Sequence, residues 1–217
     1  MAVQRQISTP RSGLPAVGGL TGGATTGNEL LTATAGGVLI VLLAVIGLTI
    51  VALRPLLSVH LFVGMLLIGP VALKLCSTGY RFVRYYTGNP SYRRKGPPAL
   101  PLRLIAPIVV LSTVVVLASG VALLFAGPGS RDTLLPIHKA SFIIWVAFTG
   151  LHVLAHLPTM LRGIRTDYGR SPQLSAYVGG RAGRTFSLAG ALTGGVVLAI
   201  LVIPQFGPWL HAHNLHH

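Results

Sequence analysis

The chain has 217 residues, 52% of them hydrophobic and only 9% charged, whereas a soluble domain carries roughly a quarter charged residues. Its 17 Lys and Arg face 3 Asp and Glu, but these cations sit between long apolar runs, a pattern that argues against nucleic-acid binding and reads as membrane topology. A single cysteine, Cys76, excludes an intramolecular disulfide, an iron–sulfur cluster held by this chain alone and a cysteine-rich zinc site, and reads as a small packing residue.

Residues 1–30 are mostly small or polar and lack an apolar run, so they read as a flexible tail rather than a secretory signal. Five segments then have the roughly 20 apolar residues that a membrane helix needs. The first runs near Ala33–Leu53 and stops at Arg54-Pro55; the second, near Leu56–Thr78, must turn straight back. The third spans about Leu104–Ala126, the fourth Leu134–Met160 and the fifth Phe186–Phe206. The expected fold is an all-α membrane bundle of five helices over residues 31–206, followed by a His-rich tail, residues 207–217. Small or helix-breaking pairs inside the spans (Gly69-Pro70, Ser119-Gly120, Gly194-Gly195) suit close helix approach.

Orientation follows from the cations. Arg5 and Arg11 lie in the tail; Arg81, Arg84, Arg93, Arg94, Lys95 and Arg103 join the second and third spans. Arg162, Arg165, Arg170, Arg181 and Arg184 join the fourth and fifth, whereas the opposite side has Arg54, Arg131 and Lys139. The expectation is a multi-pass protein of the cell membrane with its N-terminus cytoplasmic and its C-terminus outside. Tyr80, Tyr85, Tyr86 and Tyr92, amid the cytoplasmic cations, read as a headgroup belt or a docking surface for a redox partner.

Four histidines fall within spans: His60 in the second, and His138, His152 and His156 in the fourth. Ionisable residues in apolar segments are costly and point to function. Both spans run from outside to inside. His60 and His138 lie near their starts, hence near one depth, and imidazoles from opposite sides can fill the two axial positions of a haem iron. His152 lies 14 residues after His138, on nearly the same helix face and about 21 Å further along the axis, and His156 shares that face. A second haem at that level would ask for a matching histidine in the second span, but the corresponding position is Lys74. Three readings follow: one outer haem, Lys74 as an unusual iron ligand, or Lys74 as partner of a haem propionate or lipid phosphate. Packing between helices is the plain alternative for every one of these histidines. Gly64, Ala140 and Ser141 leave room for a flat cofactor or for another helix, and Phe142, Trp145 and Phe148 read as packing. Arg54, Arg131 and Lys139 are candidate propionate partners at the outer face, and Arg81, Arg84 and Arg162 at the inner. The tail histidines His211, His213, His216 and His217 could bind Zn or Cu, without carboxylate or thiolate support, and Trp209 reads as an interface anchor.

The placing of His60, His138 and His152 resembles small bacterial b-type cytochromes, haem-bearing membrane subunits with a four-helix core. The likeness covers Leu56 to Met160. Ser77-Thr78-Gly79-Tyr80-Arg81-Phe82-Val83-Arg84-Tyr85-Tyr86, then Tyr92-Arg93-Arg94-Lys95-Gly96-Pro97-Pro98, and His138-Lys139-Ala140-Ser141-Phe142 look like actinobacterial-type proteins of this sort. The resemblance implies one or two haem b groups and electron transfer, with a redox partner protein or quinone, or a larger respiratory-type complex. Competing readings are a transporter and a non-catalytic assembly subunit. Glu29, Asp132 and Asp167 are expected outside the helices, which argues against a cation carrier, though a His-based proton relay stays open. No internal repeat, nucleophile–base pair or dinucleotide fingerprint is evident, and His156 could accept a proton from a quinol.

Overall fold

The computed structural model describes residues 24–94, 96, 100–169 and 180–214. It is all helical, with no strand among the described residues. Five helices are long and apolar enough to cross a membrane. They are α1 (Ala24–Val51), α2 (Leu53–Tyr86), α4 (Leu100–Ala126), α5 (Arg131–Tyr168) and α6 (Arg181–Leu201); short helices α3 (Pro90–Arg94) and α7 (Phe206–Asn214) complete the set. The chain is a multi-pass membrane protein in architecture, its apolar side chains turned outward along the bundle.

Only Ala52 separates α1 from α2, and Leu56 leaves helical geometry one residue after Pro55, so the second span begins where the sequence placed it. Proline restricts the residue before it and cannot donate within the first turn, which makes this a natural break. Several helices outrun their apolar cores. α1 starts well ahead of Ala33 because its polar first turns find partners: Asn28 donates to the Ser77 carbonyl (3.0 Å) and Thr32 meets the Ser77 hydroxyl (2.9 Å). Residues 24–30 are therefore helix, not tail. α2 and α5 hold 34 and 38 residues, about 51 and 57 Å, against an apolar layer of about 30 Å. Both project beyond it at the end bearing Tyr80–Tyr86 and Arg162–Tyr168.

Packing arranges α1, α2, α4 and α5 as a ring, with α1 along α2 and α5, α4 along α5, and a short contact between α2 and α4. α2 and α5 hardly touch and so face each other across it, while α6 lies outside, along α2. The α2–α6 seam is backbone-close. A Cβ at Gly69 would stand 2.0 Å from the Ala191 carbonyl oxygen, and one at Gly195 2.3 Å from that of Leu66. The expected close approach at Gly69 and Gly195 is thus realised, whereas Gly194 meets nothing. The apolar core sits in this half, where Met65, Leu66, Leu124, Ala199, Val202 and Phe206 pack together. α7 folds back on it, and Trp209 Nε1 donates to the Leu124 carbonyl (3.4 Å).

The two ends differ in chemistry. The hairpin end carries the α1–α2 and α4–α5 turns; the basic end carries most of the arginines. All three acidic residues lie within helices rather than outside them: at the basic end Glu29 lies in α1, and Asp167 lies in the last turn of α5, bound bidentately by Arg184 at the start of α6. Both members of that pair are 1% exposed. Arg184, which reads from sequence as a loop cation, is instead a buried tie between α5 and α6. Asp132 likewise opens α5 rather than preceding it. Tyr92 on α3 tucks edge-on against Tyr80, their ring centres 6.1 Å apart. Burial, helped by Tyr80, pushes the Tyr92 hydroxyl above the usual phenol range, so it stays protonated.

Candidate functional site

The ring brings together, at its hairpin end, the two histidines that sequence places at one level. His60 stands near the start of α2 and His138 near the start of α5, each half-buried, and they are near enough for their charges to act on each other. Because α2 and α5 are diagonal, these imidazoles come from opposite sides of the bundle. Each is held by a hydroxyl from the neighbouring helix of its own hairpin. Thr49 Oγ1 on α1 lies 2.8 Å from His60 Nδ1, and Ser119 Oγ on α4 lies 3.1 Å from His138 Nδ1. Gly120 completes the cradle: a Cβ there would come within 3.1 Å of His138 Cε1. Gly64, which reads from sequence as room for a flat cofactor or for another helix, faces Ile46 of α1 at an ordinary 3.8 Å.

No family model, curated protein or solved structure matches this chain. The site therefore rests on its own geometry.

A second polar group lies deeper along the ring. Lys74 on α2 donates from Nζ to the Thr32 carbonyl of α1 (2.6 Å), beside Gly36 and Met160. His152 and His156, one turn apart on α5, have ring centres 4.6 Å apart, and both are close enough to feel the Lys74 charge. His152 Nδ1 and the Thr149 hydroxyl are buried without a hydrogen-bond partner among the described residues. Between the two levels, Trp145 joins α5 to α4 by donating to Thr113 (2.9 Å) and stacks on Phe142 with ring centres 6.1 Å apart.

The remaining candidates are peripheral. Arg54 and Lys139 are exposed near the His60 and His138 ends of their helices, and Arg131, Asp132, Leu135, Pro136 and Lys139 line a hollow of about 270 Å³ there. His211 Nδ1 bonds to the Gly207 carbonyl within α7 (2.7 Å), and the side chain of His213 with residues 216 and 217 lies outside the described residues. Among the described residues no three His, Cys, Asp or Glu side chains form a metal cage. Sequence reasoning missed Thr49 and the pairing of Ser119 with His138. The available signal was a hydroxyl residue at the depth of each histidine, on the span preceding it across a tight turn.

Proposed function

We propose that this protein is a b-type cytochrome of the cell membrane that moves electrons through one haem b held by His60 and His138. What supports this reading is the placing of two imidazoles near the starts of diagonal helices, at the hairpin end of an apolar ring and close enough to interact electrostatically. The residues fit the group. His60 and His138 would hold the haem iron through imidazole nitrogens, and the bare backbone at Gly120 lets the His138 ring pack against α4. When bound, haem supplies reversible one-electron chemistry; the chain's part is to ligate, orient and exclude water. Arg54 and Lys139, at the polar border of the same end, are the cations suited to propionates.

The deeper level fits a second haem less well. Its two imidazoles both come from α5, and the Lys74 amine is engaged by the Thr32 carbonyl. One haem per chain is therefore the expected stoichiometry. The distribution of arginines favours a cytoplasmic basic end, hence a cytoplasmic N-terminus, and puts the haem nearer the outer face. A redox protein or quinone, alone or within a larger complex, would exchange the electron.

Protein purified from haem-supplied cells should give a reduced-minus-oxidised spectrum of a low-spin b haem, with about one haem per chain. His60→Ala and His138→Ala should each abolish it, while His156→Ala should not. Purified chain without haem bands overturns the proposal. The Lys74–His152–His156 group favours one rival, a proton relay. That reading requires pH-gradient-driven flux in liposomes from protein lacking haem.

A further inference from the structure

We infer that Thr49 and Ser119 are positioning residues that fix both imidazoles in the Nδ1–H tautomer and so leave each Nε2 lone pair as the ligand. This rests on the haem reading above for its purpose, but its physical argument is a count of protons on the apoprotein. A hydroxyl has one proton to give. Thr49 Oγ1 stands 2.6 Å from the carbonyl oxygen of Ile46, one turn back on α1. A carbonyl can only accept, and two oxygens that close need a proton between them, so the Thr49 proton is committed there. Its remaining contact, 2.8 Å to His60 Nδ1, can then be made only if the ring donates. Ser119 repeats the arrangement: its hydroxyl donates to the Val116 carbonyl (3.1 Å), and His138 Nδ1 lies 3.1 Å from the same oxygen.

In a neutral imidazole with the proton on Nδ1, Nε2 holds the free lone pair. Ligating histidines generally donate their other ring nitrogen to an oxygen, which fixes ring orientation and raises ligand basicity. Here the device occurs twice, once in each hairpin, with the hydroxyl on the first helix and the histidine on the second. Mere packing of two histidines would not require this matched arrangement. Among the described residues no carboxylate takes part, so neither ring is pushed toward imidazolate.

The test has an arm that needs no haem. Nitrogen-15 NMR of ring-labelled apoprotein, at alkaline pH where imidazoles are neutral, distinguishes the two tautomers directly. Both His60 and His138 should give the Nδ1–H signature, and Thr49→Val or Ser119→Ala should return the affected ring toward the Nε2–H form that free imidazole side chains favour. In the loaded protein, each variant should weaken haem retention roughly 10- to 100-fold and disturb the low-spin ligand-field signature in electron paramagnetic resonance. Thr49→Ser, which keeps the hydroxyl, should restore both. An Nε2–H signature in the wild-type apoprotein overturns the inference even if haem binds. So does Thr49→Val with unaltered tautomer and haem retention. Wild-type protein with the Nδ1–H signature but no haem would instead remove the electron-transfer reading and leave the positioning intact.

Discussion

Asp167 shows how one residue's environment can reverse its apparent role. By sequence it belongs to a cytoplasmic connection; in the fold it is buried with Arg184 in a two-pronged ion pair. A buried pair need not stabilise more than an apolar replacement would, but removing one member leaves an uncompensated charge at a cost of about 3–5 kcal/mol. Asp167→Asn should therefore lower the unfolding midpoint in detergent sharply, and Asp167→Leu with Arg184→Met should recover much of the loss; equal loss in both would contradict this account. Gly120 makes the complementary case at the ligand site. A side chain there meets the His138 ring at 3.1 Å or less, so, on the proposed haem reading, Gly120→Val should displace the imidazole and remove the haem bands while the protein stays folded by circular dichroism. Full haem occupancy in that variant would refute the cradle. The histidines were legible because ionisable groups stand out in apolar runs. Thr49 was not, because a lone hydroxyl in a helix bonds its own backbone at little cost and leaves no mark in composition.

At the level of elements, apolar stretches fixed the number of spans but not their lengths. The apolar count ends where the hydrocarbon does, whereas α2 and α5 continue through basic and aromatic sequence because the helix satisfies its own backbone beyond the bilayer. α1 begins early for another reason, the partners that Asn28 and Thr32 find at Ser77. The α2–α6 seam offers the clearest test of element packing. Glycine inside a helix is ordinarily less stable than alanine by roughly 0.5–1 kcal/mol, so Gly194→Ala, which meets nothing, should be neutral or stabilising. Gly69→Ala would drive a methyl into the Ala191 carbonyl and should destabilise by roughly 1–3 kcal/mol despite the gain in helix propensity. Thermal melts of the two variants should move in opposite directions; a stabilised Gly69→Ala would mean the helices are not in backbone contact.

Across the whole molecule, hydrophobicity is turned outward. Val41, Leu48, Leu104, Leu111, Ile143, Leu154 and Leu201 are each more than 60% exposed on spans, a surface that water would penalise and lipid covers. Topology is open to a direct measurement in a Cys76→Ser background. Ser130→Cys, in the α4–α5 turn, should react with an impermeant maleimide in intact cells, and Asn89→Cys, between α2 and α3, only after permeabilisation. The reverse pattern would invert the bundle and move the His60–His138 level to the cytoplasmic side.

The sequence by itself determined helix as the only secondary structure among the described residues, five spans and their charged borders, and it placed His60 and His138 near the starts of their spans, because each depends on one-dimensional order: the length and polarity of runs and the alternation of direction along the chain. Which helices are diagonal, which glycines touch backbone, that Lys74 is held by α1 and that Asp167 meets Arg184 depend on pairings across 17 to 129 positions of chain. Those were decided by packing, since only the folded ring determines which faces meet.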